Sequence, residues 1–394
     1  MLERPISRAG WTRVRFDQIA TQINDRVDNP AEAGVERYVG LEHLDPDSLR
    51  IRRWGEPTDV ESTKLRFQPG DIIFGKRRVY QRKVAVADFE GICSAHAMVL
   101  RAKPGAVLPE FLPFFMQSDL FMERALSISV GSLSPTINWK ALAAEEFLLP
   151  PIQEQARLVE ALSANEAALN ACQLATESGE ELLRSMLIEA IPAVSTAKSR
   201  GLPLVRFGDV VAILDPNPSH RYPDYVEEGV PLVSTQDFVG EDGFDYAGCK
   251  RVPASTFAEQ KARCGFDELD VVFARKGVLG LSRYYGRDEK CFSHTIVIMK
   301  PRGAEITRRF LLWLTRSASF MGEIQRAMNS NSGVPTLGIE TLNAVQVPLP
   351  SVAEQKLIVG QLEAVNQALG QLRSRRVSLF ALKKYGLSEL AGHN

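Results

Sequence analysis

A short phrase that occurs twice, 200 positions apart, constrains this chain more than any other feature. It reads Leu-Pro-Pro-Ile-Gln-Glu-Gln at 149–155 and Leu-Pro-Ser-Val-Ala-Glu-Gln at 349–355. After each phrase, residues recur in alternating steps of four and three, which is the spacing of a coiled-coil seam. A pair of such helices would act as a spacer between two parts of the chain. The seam positions are Leu158, Leu162, Asn165, Leu169, Cys172, Thr176, Gly179, Leu183 and Met186, then Ile358, Leu362, Val365, Leu369, Leu372, Arg376 and Leu379.

The rest of the chain repeats at nearly the same distance. Matching stretches share their residue types and their order; they are Asp-Ile-Ile-Phe at 71–74 with Asp-Val-Val-Phe at 270–273, Cys-Ser-Ala-His at 93–96 with Cys-Phe-Ser-His at 291–294, and Pro-Thr-Ile at 135–137 with Pro-Thr-Leu at 335–337. Offsets between 198 and 200 across these matches indicate the duplication of a whole domain.

The duplication predicts an α+β fold with two tandem mixed α/β domains separated by two long helices. We expect the helices to form an antiparallel coiled coil and the halves to be related by a pseudo-two-fold axis. An amphipathic pattern predicts one helix over 109–126, and the polar residues 195–203 predict a flexible linker. The expected segments are a domain over 1–150, a helix over 151–193, a linker over 194–203, a domain over 204–350 and a helix over 351–394.

Composition narrows the class of protein. The chain has 394 residues, 45% of them apolar and 24% charged, which is typical of a globular protein with two or three domains. Neither a membrane-spanning run nor a signal peptide is expected, and five scattered cysteines indicate reduced thiols and a cytoplasmic protein. Because the net charge is −1, any nucleic-acid binding must depend on local patches.

Basic patches follow the matched strand in both halves. Residues 64–83 hold seven basic residues and one acid. Arginine grips a phosphate or a guanine edge with two bonds, so these patches predict DNA contacts. A solvated strand edge or an ion-pair network is the alternative. The candidates are Lys76, Arg77, Arg78, Tyr80, Arg82 and Lys83 in the first half, and Arg275, Lys276, Arg283 and Tyr284 in the second.

The two halves differ most within these patches. Gly-Lys-Arg-Arg-Val-Tyr-Gln-Arg at 75–82 stands where the second half has Ala-Arg-Lys-Gly-Val-Leu-Gly-Leu at 274–281. This is the pattern expected of two readers of different DNA sequences, and equally of drift in surface loops.

A second candidate surface is a loop of small residues. Gly131 and Ser132 in the first half, and Ser332 and Gly333 in the second, would let the backbone approach a phosphate closely. The alternative is a plain loop before the next element.

No catalytic or metal site is predicted. The chain has neither a Walker loop nor a Gly-x-Gly-x-x-Gly before a helix, and Asp-Pro-Asn-Pro at 215–218 lacks the aromatic residue of an amino-methyltransferase motif. Cys93 with His96, and Cys291 with His294, supply too few ligands for zinc. A DNA-binding protein is therefore favoured over a stand-alone enzyme that modifies or cleaves DNA, and over a coiled-coil adaptor.

These motifs resemble the specificity subunit of Type I restriction–modification systems. The resemblance rests on the doubled Leu-Pro-x-x-x-Glu-Gln phrase, on Gly-Asp-Ile-Ile-Phe at 70–74, on Arg-Lys-Gly-Val-Leu-Gly at 275–280 and on the Gly-Ser to Pro-Thr-Ile loop at 131–137. The first half departs from the pattern, because 76–82 lacks the glycines of the Arg-x-Gly-x-x-Gly turn.

The resemblance implies two target-recognition domains, each reading one half of a bipartite double-stranded DNA site, with the helices as a ruler between them. It also implies that two modification (methyltransferase) subunits dock on the chain and bring S-adenosylmethionine and adenine-N6 chemistry. A restriction subunit using ATP and Mg²⁺ would join the full complex. This chain would then bind no cofactor itself and supply sequence choice alone.

Overall fold

The computed structural model describes residues 10–219, 223–328 and 337–391. The chain divides into two compact units. Unit 1 comprises Met1–Leu174 together with Arg373–Asn394, and unit 2 comprises Ala175–Leu372. Each long helix therefore contributes residues to both units, whereas the predicted segments kept the helices separate from the domains.

Unit 1 is a mixed α/β body. The strands in the described part of this unit are β1 (Thr12–Arg15), β2 (Ala20–Ile23), β3 (Arg26–Val27), β4 (Tyr38–Val39), β5 (Lys64–Phe67), β6 (Ile72–Gly75), β7 (Val84–Val86), β8 (Gly91–Ser94), β9 (Ala97–Ala102) and β10 (Glu146–Leu149). The four-stranded sheet has the order β2-β9-β6-β7, a second sheet has the order β3-β5-β8-β4, and β1 pairs with β10. All these pairings are antiparallel except that of β4 with β8.

The helices of unit 1 are α1 (Phe16–Ile19), α2 (Phe111–Gln117), α3 (Asp119–Ser127), α4 (Trp139–Ala144), the first part of α5 (Ile152–Ala190) and the last part of α12 (Val352–Ala391). The single helix predicted over 109–126 is in fact two helices. Ser118 has extended backbone angles, and its Oγ accepts a hydrogen bond from Phe121 N at 3.3 Å. Serine at this position caps a new helix, which is why the first helix stops there.

The core of unit 1 includes the ends of both long helices. Phe121 packs against Phe16 and Phe147, with ring centroids 5.5 Å and 5.7 Å away. Leu158 of α5 and Leu387, near the end of the chain, belong to the same buried cluster. Full burial of a leucine side chain contributes about 1.5–3 kcal/mol, so this core holds the helix ends firmly.

Unit 2 repeats the plan of the sheet. The described strands are β11 (Leu204–Arg206), β12 (Val211–Leu214), β13 (Val230–Val233), β14 (Phe238–Val239), β15 (Gly243–Phe244), β16 (Lys250–Val252), β17 (Val271–Ala274), β18 (Ser282–Tyr284), β19 (Cys291–Phe292), β20 (Ile296–Pro301) and β21 (Gln346–Pro348). The four-stranded sheet has the order β12-β20-β17-β18, which corresponds strand for strand to the four-stranded sheet of unit 1. A second sheet has the order β16-β13-β19, and β11 pairs with β21 and β14 with β15.

The helices of unit 2, besides the end of α5, are α6 (Val194–Ser199), α7 (Phe207–Val210), α8 (Ala254–Cys264), α9 (Arg308–Arg316), α10 (Ala318–Ala327), α11 (Ile339–Ala344) and the first part of α12 (Val352–Ala391). The prediction of two mixed α/β domains is thus confirmed.

The segment predicted as a flexible linker is instead folded onto unit 2. Helix α6 occupies most of it, Ala197 is fully buried, and Leu349 N donates to Pro203 O at 3.0 Å. Its polar residues face solvent while the one alanine packs inward. Ala197, with the half-buried Val194, is therefore enough to dock this helix turn.

The repeated phrase has a structural reason. Gln155 is 2% exposed, and its Oε1 accepts a hydrogen bond from Leu108 N at 2.9 Å. In unit 2, Gln355 is fully buried and accepts from Thr307 N at 2.8 Å. Each glutamine also donates to the carbonyl of the proline five residues earlier. Since a buried amide is costly to leave unpaired, this glutamine fastens the start of each long helix to its own unit.

Within each unit, segments of the two long helices lie side by side in the antiparallel sense. In unit 1, Asn165 Nδ2 donates to Leu379 O at 3.1 Å. In unit 2, Gly179 faces Leu369 so closely that a Cβ there would lie 2.7 Å from the leucine Cδ2.

Most predicted seam residues are at least half-buried. Arg376 is the exception, because its charged guanidinium remains in water. Leu158, Leu162, Asn165, Cys172, Thr176, Leu362 and Leu369 are buried, and Leu169, Gly179, Leu183, Met186, Ile358, Val365, Leu372 and Leu379 are partly buried. Among the described helices, none has the length and apolar character that crossing a membrane requires.

Candidate nucleic-acid interface

Two surfaces that the sequence suggested separately come together in unit 1. Arg78 N donates to Pro135 O at 2.8 Å, and Ile137 N donates to Lys76 O at 3.0 Å. Val130 and Thr136 exchange two backbone hydrogen bonds, which close the loop that carries Gly131 and Ser132. We call residues 76–83 and 130–136 the paired loops. Gly131 and Ser132 lie exposed at the turn of the second loop.

The first of the paired loops is built on left-handed backbone. Arg78 has φ 57° and Arg82 has φ 53°, on either side of the 3₁₀ turn Val79–Gln81. In unit 2, the matching loop has glycines at positive φ, Gly277 at 80° and Gly280 at 86°. A non-glycine residue in this region costs on the order of 1–3 kcal/mol, and such strain concentrates at functional sites. Arg78 thus adopts a strained left-handed conformation, whereas Gly277 in the matching loop of unit 2 adopts a positive φ without strain.

The exposed groups of the first loop are Arg78 and Tyr80, the latter 56% exposed. The Nε of Arg78 donates to Ser134 Oγ at 3.3 Å, the side chain is exposed, and no hydrogen bond or ion pair joins its terminal nitrogens to the described residues. Lys76 and Arg77 are half-buried beneath them. This arrangement presents one arginine fork and one aromatic ring above a layer of positive charge.

The side chain of His96 lies beside this layer of positive charge. Arg77 Nη1 lies 3.1 Å from His96 Nε2. Partial burial, followed by the positive charges of Arg77, Lys76 and Lys64, lowers the pKa of His96. The ring is therefore neutral at pH 7, and its Nε2 accepts a hydrogen bond from the guanidinium. A negative ligand bound here would reverse the shift.

Arg82 and Lys83, also predicted to contact DNA, use their donors inside the protein. Arg82 Nε pairs with Asp47 Oδ1 at 2.7 Å, and its Nη1 pairs with Asp119 Oδ1 at 2.8 Å. Lys83 Nζ donates to Leu41 O at 2.6 Å. These side chains hold the strands under the paired loops in position.

In unit 2, most of the predicted basic patch is packed inside. Arg275 is 7% exposed and pairs with Asp215 at 2.6 Å. Arg283 is 2% exposed, and its guanidinium lies 3.9 Å from the ring centroid of Phe238; burial lowers the pKa of Arg283 to about 10. Burial likewise raises the pKa of the Tyr284 hydroxyl to about 12.

Two of the remaining predictions for unit 2 lie outside the described residues, namely Ser332 and Gly333. Lys276 keeps partial exposure. Leu337 N donates to Arg275 O at 2.9 Å, as Ile137 does to Lys76 in unit 1. One backbone bond of the unit 1 framework therefore recurs in the described part of unit 2, and the exposed side chains of the first loop differ.

The Cys-x-x-His pairs gather no third ligand among the described residues. Across the described part of the chain, no group of three or more His, Cys, Asp or Glu side chains could hold a metal ion. Cys93 is fully buried, and burial raises its pKa to about 12, whereas His96 is exposed. The structure contains no disulfide among its five cysteines, all of which lie in the described residues.

Two exposed apolar residues of the second loop are not among the site residues that the sequence predicts. Leu133 is 90% exposed and Val130 is 79% exposed. A signal was present: both stand in a stretch of Gly, Ser and Pro, where a side chain has no regular element to carry it into the core.

Comparison with known proteins identifies the family. The family described as Type I restriction modification DNA specificity domain matches residues 58–177 and 223–376, more than half of the chain. The specificity subunit of the Type I restriction enzyme EcoDI from Escherichia coli is 31% identical over 166 residues, which are 40% of this chain and 35% of that protein. The match thus spans about a third of the length of this relative.

Two solved structures share the fold. The S subunit of a Type I restriction–modification system from M. genitalium gives a TM-score of 0.62 at 16% identity, covering 99% of this chain and 97% of that one. A chain from a study of complex assembly and conformational transition in the type I R-M system gives 0.55 at 21% identity, covering 97% of each. With both family matches falling on the two mixed α/β units, the chain belongs to the family of Type I restriction modification DNA specificity domains.

Proposed function

We propose that this chain is the sequence-recognition subunit of a Type I restriction–modification complex, that it reads a bipartite DNA target, and that it supplies no chemistry of its own. The observation that carries the proposal is the joining of the basic loop and the Gly-Ser loop of unit 1 into one exposed, positively charged surface in a chain of this family. A stand-alone enzyme and a coiled-coil adaptor have no such support.

The paired loops would read the first half-site. Half-buried Lys76 and Arg77 attract phosphates, which positions the loops without reading sequence. Arg78, with its terminal nitrogens in solvent, can donate two bonds to a guanine edge in the major groove. Tyr80 offers a ring for packing against sugar or base. Gly131 and Ser132 let the backbone come close to a phosphate.

The corresponding loop of unit 2 would read the second half-site with different groups. Lys276 supplies charge there, and Val278, which is 60% exposed, lies between the two glycines of positive φ. Different side chains on the same framework imply two different half-sites. The buried Arg275, Arg283 and Tyr284 would act by holding this framework.

The two long helices would form an antiparallel coiled coil that sets the gap between the half-sites, with the halves related by a pseudo-two-fold axis. Helices of 39 and 40 residues are about 60 Å long at about 1.5 Å per residue. Adding helical turns to both helices would change the preferred gap. An unchanged gap would refute this part of the proposal.

Two modification subunits would dock on the chain and methylate adenine with S-adenosylmethionine, and restriction subunits using ATP and Mg²⁺ would join them in the cytoplasm. Apolar side chains exposed on α12 are candidates for such docking contacts. They are Leu357 (65%), Val377 (71%), Leu382 (58%) and Tyr385 (52%).

The proposal is tested with the chain assembled with modification subunits from its own source. We expect adenine methylation at a two-part motif, and we expect Arg78→Ala to weaken binding to one half-site about 5–150-fold, the range for losing a bidentate arginine. Arg13→Ala is the matched control, since this exposed arginine lies on β1, outside the paired loops. Unchanged half-site selectivity in Arg78→Ala would contradict the assignment.

A further inference from the structure

The second loop carries exposed apolar side chains, although the surface around it is charged. Leu133 has the most exposed of the large apolar side chains in the described residues, at 90%, and Val130 follows at 79%. We call these two residues, Leu133 on the turn and Val130 at the base of the loop, the apolar tip. Nearly the whole leucine side chain projects beyond its neighbours, so the fold gains almost nothing from its apolar character.

The apolar tip is held rigidly. The two backbone hydrogen bonds between Val130 and Thr136 are 3.1 Å and 3.0 Å long and close the loop at its base. Gly131, at φ 118°, allows the sharp turn that no other residue adopts easily. A rigid, projecting apolar group loses little conformational entropy when it meets a ligand.

The surroundings of the apolar tip are positive. Arg78 reaches Ser134, the neighbour of Leu133, through its Nε at 3.3 Å. Thr136 forms a bridge with Arg77. Neither of the paired loops contains an acidic residue. A protein partner would place apolar groups on the tip but would leave these cations without counter-charges, whereas DNA supplies phosphates for the cations and a groove for the projecting tip.

The apolar group that DNA offers in a groove is the thymine methyl. We propose that Leu133, supported by Val130, enters the major groove of the first half-site and packs against a thymine 5-methyl group, so that it is a specificity-determining residue. This inference rests on the proposed function and names the chemistry that one part of the site reads. Methylation of adenine would guarantee at least one A·T pair, and hence one thymine methyl, in that half-site.

The test removes the thymine methyl group from the DNA and the Leu133 side chain from the protein, first separately and then together, and measures binding each time. After the target is mapped by adenine methylation, each thymine of the first half-site is replaced by deoxyuridine in turn, and binding by the assembled complex is measured. We expect one replacement to weaken wild-type binding about fourfold, the value for one buried carbon. We expect Leu133→Ser to weaken binding to the natural site similarly and to be insensitive to that same replacement, and Leu133→Met to remain sensitive.

Controls separate this inference from the function on which it rests. Leu202→Ser changes a leucine that is 37% exposed outside both loops, and it should retain wild-type sensitivity to deoxyuridine. If the complex methylates its target but every deoxyuridine weakens wild type and Leu133→Ser equally, the inference is wrong and the function stands. If a 2-aminopurine probe in the half-site is unstacked by the wild-type complex but not by Leu133→Ser, Leu133 inserts between bases, and the proposal that it reads a methyl group is wrong. Loss of modification subunits from Leu133→Ser would instead reassign the apolar tip to a protein contact.

Discussion

Replacing Lys383 should destabilise unit 1 strongly. Lys383 is 1% exposed, and its Nζ lies 2.7 Å from Glu166 Oε2 and 2.7 Å from Asp47 O. The other carboxylate oxygen of Glu166 accepts from Leu49 N at 3.3 Å. Lys383→Ala would leave a mostly buried carboxylate without its cation, and breaking such a pair costs about 3–5 kcal/mol.

That cost is large against the stability of a domain, about 5–15 kcal/mol. For a body of about 150–250 residues, 1 kcal/mol shifts Tm by about 2–4 °C, so Lys383→Ala should lower the transition of unit 1 by about 6–20 °C. Calorimetry on the whole chain measures this. The double variant Lys383→Leu with Glu166→Met should recover most of the loss, since apolar replacement of a buried pair is often neutral.

A solvent-exposed pair is the matched control. Arg13 and Glu146 lie 3.7 Å apart with both side chains more than half exposed, and Arg13→Ala should change stability by less than about 1 kcal/mol. A Lys383→Ala variant as stable as this control would refute the reasoning, because it would mean that Glu166 finds water or another partner at little cost.

Three further outcomes are expected. Arg78→Gly should leave the free energy of unfolding unchanged or raise it by up to about 1 kcal/mol, because glycine relieves the left-handed strain. The same variant should weaken DNA binding, and a loss of stability alongside the loss of binding would contradict this prediction. Burial lowers the pKa of Lys290 to about 8, so the unfolded chain binds more protons between pH 8 and the ordinary lysine value, and stability rises with pH across that window. In Lys290→Met, the free energy of unfolding from denaturant titrations should rise less with pH than in wild type, by up to about 3 kcal/mol across the window. The same rise in wild type and variant would mean that another group causes the pH dependence. His96, followed by NMR, should titrate below the ordinary histidine value in the free chain and higher when DNA is bound; an unmoved pKa would place the phosphates elsewhere.

The sequence predicted the large features because they recur. The doubled phrase fixed the starts of α5 and α12, and the buried glutamines show why it recurs: each must meet a backbone N–H of its own unit. The matched strand at 71–74 and 270–273 was also correctly placed, since a buried β-branched run needs no partner information to be recognised.

Features that depend on distant partners were not predictable. Lys383 and Glu166 are 217 positions apart, and a lysine in a helix is ordinarily read as solvated. The basic patch after the matched strand predicts Arg283 as a DNA contact, and only the fold brings Phe238 against its guanidinium. The two loops of the candidate site were each found in the sequence, but their joining required backbone bonds between residues 57 positions apart in sequence, such as Arg78 and Pro135.

The most direct test of the account is a map of methylated adenine on a random-sequence DNA library, made with the chain assembled with its modification subunits. The account predicts one motif of two short, different parts separated by a gap of constant length, with Arg78→Ala relaxing one part alone. A single uninterrupted motif, or a two-part motif in which Arg78→Ala relaxes both parts equally, would contradict it.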